Sequence, residues 1–438
     1  MKKLRHLQTY RYLLLLFIIS NFIFAQENKN IKTFLLNGEY KKVINVLEAK
    51  LSEQDSLSFY EYKSLGFAYQ RLMNFSKAIP MLSRANKMQP ENLQPLFMLG
   101  SCYNSLGKDT QAKLIYKLIL EKDSTNLTAM VNLGEVLIKR EEYNEASKLY
   151  SKMTLADSTN PYYLSQLGIC ELKKGNKNLA QHYFEESLQV NNGNTKTILR
   201  LAKIYYTKQE YDKAKKILKQ GLAQNSRSKP LNKMIAEIFY KKKQYEEAII
   251  KYLYLNSIGD TTAQTYQRLG ITYYYLSFTK NIDRNKIRIM KLKEAIAALE
   301  KSYVKDNDNP VTALYLGLCH KALEEHKTAA KYFEESLDKM FPDYIGQVYK
   351  NLAISYEHIK DYKNAILNYK EAIKYLPKEK VLLFYLATVS DRYYKDKKIA
   401  FRLYKKFLKS DNNADVKLIN YTKERIKILD KDINFWGK

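Results

Sequence analysis

Three cysteines and five histidines are the side chains of this 438-residue chain best suited to metal or redox chemistry, and their spacing works against both. Cys102, Cys170 and Cys319 stand far apart and form no Cys-x-x-Cys pair, the spacing on which zinc sites and redox dithiols are built. His6, His182, His320, His326 and His358 contain no His-Glu-x-x-His pattern. His320 and Glu324 are four residues apart, one turn of a helix, which gives a surface pair where a metal needs three or four converging ligands. The stretch Gly100 to Lys108 has the wrong spacing for a phosphate-cradling loop, and Asp109 stands where Ser or Thr is required. No Gly-x-Ser-x-Gly elbow is present, and no two carboxylates can be singled out as an acid/base pair. We therefore expect no catalytic residue, metal ligand, cofactor or small-molecule substrate, and read the chain as non-enzymatic.

The cysteines are informative in another way. Laid out at a period of 34 residues, the sequence brings Leu65-Gly66, Leu99-Gly100, Leu133-Gly134, Leu167-Gly168, Leu201-Ala202, Ile235-Ala236 and Leu269-Gly270 into one register. After a break the pair returns as Leu316-Gly317, Leu352-Ala353 and Leu386-Ala387. Twelve residues beyond the small residue stands Ala78, Ala112, Ala146, Ala180, Ala214, Ala248, Ala329 or Ala365. All three cysteines fall at the tenth position of such a repeat, which makes them buried small apolar residues too far apart for a disulfide. Tyr183 to Leu188 recurs as Tyr332 to Leu337, an offset of four periods plus 13 residues.

The register describes paired helices. Tyr62, Leu65, Gly66 and Tyr69 follow the i, i+3, i+4, i+7 pattern of a helix stripe; Ala78, Leu82 and Ala85 draw a second, and Met73, Asn74 and Phe75 turn between them. Such a hairpin cannot cover both its apolar faces alone, and stacking on neighbours does so. These columns, with Phe75, Tyr143, Tyr211, Tyr245 and Tyr362 at the turn and Pro90 and Pro377 at repeat ends, resemble the tetratricopeptide repeat over nearly the whole chain past residue 25.

The resemblance implies an all-α, right-handed superhelical solenoid of about eleven helix-turn-helix units. A degenerate opening repeat spans 26–58, with Gly38, Glu39 and Tyr40 as its turn. Six repeats follow over 59–262, a seventh with a 13-residue insertion over 263–309, three more over 310–414, and a capping helix and tail over 415–438, on which Ile433, Phe435 and Trp436 fold back. It also implies that positions 2, 5, 9 and 12 of each first helix line a concave groove. In the middle repeats those positions are Lys196, Leu199, Lys203 and Tyr206, then Lys233, Glu237 and Tyr240, then Gln264, Gln267, Ile271 and Tyr274. The carboxylate clamp of one sub-family is not matched: Lys196 and Arg200 fit, but Val131, Glu135 and Gln166 stand where Lys and Asn are needed. The insertion from Tyr274 to about Lys286 reads as a lengthened hairpin, either a partner-specific contact or a neutral departure.

Lys2, Lys3, Arg5 and Arg11, the apolar run from Leu13 and the Phe24-Ala25-Gln26 junction have the layout of a secretory signal cleaved after Ala25. The expected location is periplasmic or cell-surface, with a retained N-terminal anchor as the alternative. The net charge of +28 comes from 61 Lys and 13 Arg against 46 acidic residues. Lysine offers a point charge where arginine offers a bidentate fork, so nucleic acid is not the expected partner. Peripheral contact with an anionic surface fits the charge. The expected function is a scaffold or adaptor that binds envelope proteins through the groove, the alternative being a module for an anionic polymer or membrane surface.

Overall fold

The computed structural model describes residues 30–54, 56–279, 285–339, 342–410 and 415–435. The N-terminal segment read as a signal and the tail residue Trp436 lie outside them, as do residues 280–284 of the insertion. Every regular element among the described residues is an α-helix. The chain divides into two compact units, one up to Ile204 and the other from Tyr205 onward.

In the first unit a short helix α1 (30–36) pairs with α2 (Tyr40–Gln54). Four hairpins follow: α3 (Phe59–Arg71) with α4 (Phe75–Met88), α5 (Leu93–Ser105) with α6 (Asp109–Lys122), α7 (Leu127–Lys139) with α8 (Tyr143–Ala156), and α9 (Pro161–Lys173) with α10 (Lys177–Val190). The helix α11 (Thr195–Thr207) carries the chain across the division. The second unit continues with α12 (Tyr211–Gln224), then α13 (Lys229–Lys241) with α14 (Tyr245–Ser257), α15 (Ala263–Leu276) with α16 (Asn285–Lys305), and α17 (Pro310–Ala322) with α18 (His326–Leu337). It ends in α19 (Pro342–His358) with α20 (Tyr362–Tyr375), α21 (Val381–Tyr393) with α22 (Lys397–Ser410), and a single α23 (Val416–Phe435).

The 34-residue beat has local causes at both ends of each first helix. Asn92, Asn126, Asn160 and Asn194 stand one period apart, and each side-chain oxygen accepts from a backbone N–H of the helix that follows. Such a cap satisfies donors the helix cannot. Pro161 and Pro310 occupy first helical positions, where the missing N–H costs nothing. At the other end, Met73, Gly107, Glu141, Gly175, Gln209 and Lys243 adopt positive φ at the same 34-residue spacing, turning the chain into the second helix.

Inside each hairpin a small residue faces a large one. A Cβ on Gly66 would lie 2.6 Å from Leu82, and one on Gly100 would lie 2.7 Å from the Tyr116 ring. Gly168 and Gly317 stand in the same relation to Phe184 and Phe333. Tyr150, Tyr252, Tyr369 and Phe333 are fully buried, as are Cys102, Cys170 and Cys319, which are free thiols. Burial pushes the Cys102 and Cys170 thiols up to about 11 and that of Cys319 to about 12, so they carry no thiolate at neutral pH.

The end of the second unit is closed by α23, whose Leu429 is buried against α21 and α22. Arg425 reaches the nearly buried Asp391 with two hydrogen bonds, 2.6 and 3.1 Å, and Lys397 adds a charge at 3.3 Å. Ile433 is half-buried.

Candidate functional site

Two faces built from first helices carry side chains that pack on the core and stay partly exposed. In the first unit, Tyr60, Lys63 and Phe67 of α3 stand at positions 2, 5 and 9 of their repeat, and Gln94 and Phe97 of α5 at positions 2 and 5 of the next. With Leu35, Ser64 and Met98 they line a cleft of about 420 Å³. An edge-on contact with Tyr40, ring centroids 6.0 Å apart, holds Phe67 in the wall. Lys63 Nζ donates to Gln94 Oε1 at 2.9 Å and lies 5.7 Å from the Tyr60 ring centroid, which fixes the polar rim. Ser64 is 2% exposed, and its hydroxyl has no hydrogen-bond partner. A buried hydroxyl without a partner is costly to the fold.

The residues singled out by the groove columns are distributed over both units. Lys196 and Lys203 belong to the first unit and are exposed. Tyr206, Lys233, Tyr240, Gln267 and Tyr274 belong to the second and are half-buried. Tyr240 packs edge-on against Tyr245 and Tyr275 at 5.9 and 6.0 Å, and Tyr274 against Tyr315 at 5.5 Å and Phe278 at 5.0 Å. The Tyr275 and Tyr315 hydroxyls meet at 2.9 Å. Arg268 lies 5.9 Å from the Tyr240 ring centroid and pairs with Glu237 at 3.0 Å, while Tyr252 donates to the same carboxylate at 2.9 Å. Burial raises the Tyr206 and Tyr240 phenols and pushes Tyr274 up to about 12, so all three are hydroxyl donors at neutral pH.

Several of these groups already have partners. Lys233 Nζ sits 3.3 Å from Asp260 Oδ2, and Gln267 Nε2 donates to Asn309 at 3.0 Å and Thr312 at 2.8 Å, tying α15 to the next hairpin. Ile271 is buried and lines no face. His320 does not pair with Glu324 as the four-residue spacing suggested. Its helix ends at Ala322, Glu324 occupies the positive-φ turn position, and Glu325 takes the imidazole at 2.6 Å instead. No group of three His, Cys, Asp or Glu converges as a metal site among the described residues.

The first-unit cleft was not singled out from sequence, although the signal for it was present: the groove columns applied to the first two full repeats name Tyr60, Lys63, Phe67, Gln94 and Phe97. Neither face gathers a nucleophile and a base. What the faces offer is aromatic surface, hydroxyl donors and lysine charge, the means of holding a polypeptide.

Family models described as tetratricopeptide repeat match residues 96–125 and 171–238. A 102-residue stretch, 23% of this chain, is 28% identical to human Superkiller complex protein 3 and takes in 6% of that protein's length. Among solved structures, a tetratricopeptide repeat protein from Parabacteroides merdae is 17% identical, covering 60% of this chain and 98% of that one, with a TM-score of 0.42. A human IFIT1 dimer with m7Gppp-AAAA is also 17% identical, covering 85% of this chain and 94% of that one, at 0.41.

Proposed function

We propose that this chain is a non-enzymatic scaffold, exported to the cell envelope, that holds a partner polypeptide against the first helices of its tetratricopeptide hairpins. The observation that carries the reading is the first-unit cleft. Five of its eight lining residues fall on the columns that face a ligand in repeats of this kind, and its wall is aromatic and apolar. An apolar anchor residue of a bound peptide fills such a cleft. Lys63 at the rim favours acidic residues beside the anchor. In the second unit Tyr206, Tyr240 and Tyr274 offer hydroxyls in one repeat column; in the first, Lys196 and Lys203 are exposed. Proteins of the cell envelope are the proposed partners, on the strength of the N-terminal segment alone.

Selection of random peptides against the full chain tests the reading. It expects peptides with a large apolar residue flanked by acids, weakened at least about tenfold by Phe97→Ala and unaffected by Leu155→Ala on the exposed end of α8. Selected peptides indifferent to both changes would move the site elsewhere.

A further inference from the structure

The inserted segment of the α15–α16 hairpin is basic and apolar at once. The helix α16 has 21 residues where the second helices α14 and α20 have 13 and 14. Ala78 is the fourth residue of its helix, whereas its counterpart Ala295 is the eleventh of α16. Seven residues, 285–291, therefore run ahead of the packed part of the hairpin, roughly 10 Å of helix. They are exposed except for Arg288 and Lys291, which are half-exposed.

Their composition combines two features that surface helices keep apart. Ile287, Ile289 and Met290 are 38%, 38% and 48% exposed, and Phe278 at the end of α15 is 47% exposed. Interleaved with them, Lys286, Arg288, Lys291 and Lys293 contribute four positive charges, and the first carboxylate along the helix, Glu294, is already taken by Lys291 at 2.8 Å. The Arg288 guanidinium lies over the Phe278 ring at 4.5 Å, and its Nε has no hydrogen-bond partner. The stacked guanidinium places a cation directly beside an exposed apolar ring.

We propose that this element, Phe278 with 285–293, docks on an anionic lipid surface. Arg288, Lys286 and Lys293 engage lipid phosphates while Phe278, Ile287, Ile289 and Met290 enter the boundary between headgroups and acyl chains. An acidic protein would satisfy the cations but leave four large apolar side chains in water; a lipid interface satisfies both sets. The inference uses no residue of the first-unit cleft, although Phe278 packs against Tyr274 at 5.0 Å.

Flotation of the full chain with vesicles of phosphatidylcholine containing 30% phosphatidylglycerol (on the order of a cytoplasmic or envelope leaflet's charge) tests it, with phosphatidylcholine vesicles as reference. The chain is expected to float with the charged vesicles and not with the neutral ones. Lys286→Glu/Arg288→Glu/Lys293→Glu is expected to weaken binding about 100-fold, and Ile287→Ser/Met290→Ser about tenfold. A charge-matched control, Lys148→Glu/Lys216→Glu/Lys219→Glu on exposed second-helix positions, is expected to change it less than about threefold. Equal loss in the control would overturn the proposal by assigning binding to overall charge. No flotation of the native chain, equal flotation with neutral vesicles, or an unaffected Ile287→Ser/Met290→Ser chain would overturn it as well, the last leaving a purely electrostatic contact.

Discussion

Gly134 leaves the space that the Tyr150 ring occupies: a Cβ built on Gly134 would lie 2.5 Å from Tyr150 Cζ. Tyr150 is fully buried and belongs to α8, so the missing methyl sets how closely the two helices of that hairpin approach. Gly134→Ala is expected to destabilise the first unit by about 1–3 kcal/mol through overpacking. Urea unfolding of the full chain reads this, and Gly134→Ala/Tyr150→Leu, which shortens the opposing ring, should recover much of the loss.

The turn position is the converse case, where glycine is absent and wanted. Lys243 holds φ at 58°, a conformation costing a residue with a side chain about 1–2 kcal/mol. Lys243→Gly is expected to raise the midpoint of thermal unfolding, partly offset by the greater freedom glycine has in the unfolded chain. Gly175→Lys, at φ 90° in the equivalent turn, should lower it.

Ser64 separates stability from binding. Removing its unpartnered buried hydroxyl costs no hydrogen bond in the free protein, so Ser64→Ala should leave stability unchanged or raise it by up to about 1 kcal/mol. Peptide affinity, measured by calorimetry, should stay within about twofold of the native chain, because the hydroxyl is enclosed and out of a ligand's reach.

The terminal cap should be acid-sensitive. Burial pushes the Asp391 carboxyl up, but the Arg425 hydrogen bonds and the charges of Arg425 and Lys397 outweigh it, and the net shift is downward. A carboxyl whose folded pKa is depressed stabilises above its unfolded value of about 3.9, and that stability is lost as pH falls through the folded pKa. Hydrogen exchange in Val416–Phe435 should therefore accelerate below about pH 4. Arg425→Ala, which leaves the carboxylate only Lys397 as a partner, should produce the same loosening at neutral pH, at a cost of about 1–3 kcal/mol.

Export is tested by the chain's own N-terminus. Protein recovered from the expressing cells should begin at Gln26 and fractionate outside the cytoplasm; an intact Met1 in the membrane fraction would mean a retained anchor.

The repeat was legible in sequence because close approach between helices restricts residue type: Gly66, Gly100, Gly134 and Gly168 each admit no larger side chain without a clash. The turn at Met73 to Phe75 was legible for a similar reason, the stripes on either side being out of phase. The positive-φ column was not. Met, Glu, Gln and Lys all occupy it, since its cost is small beside the burial that each hairpin gains. Nor could sequence reveal that Gln267 is committed to Asn309 and Thr312, because those partners arrive from the next repeat, 42 and 45 residues on. The cleft at Phe67 and Phe97 needed the same columns plus the knowledge that no neighbouring side chain fills it.

Between adjacent hairpins run solvent-facing struts: Lys139 to Asp109 at 2.6 Å, Lys122 to Glu91 at 2.9 Å, Lys242 to Asp212 at 3.0 Å and Lys339 to Asp308 at 2.7 Å. Each spans 30 or 31 residues and none reaches past its neighbour. In mechanical terms these are weak springs in series, screened by salt. Ionic strength therefore loosens or tightens these struts alone and leaves the buried Gly and Tyr columns inside each hairpin untouched.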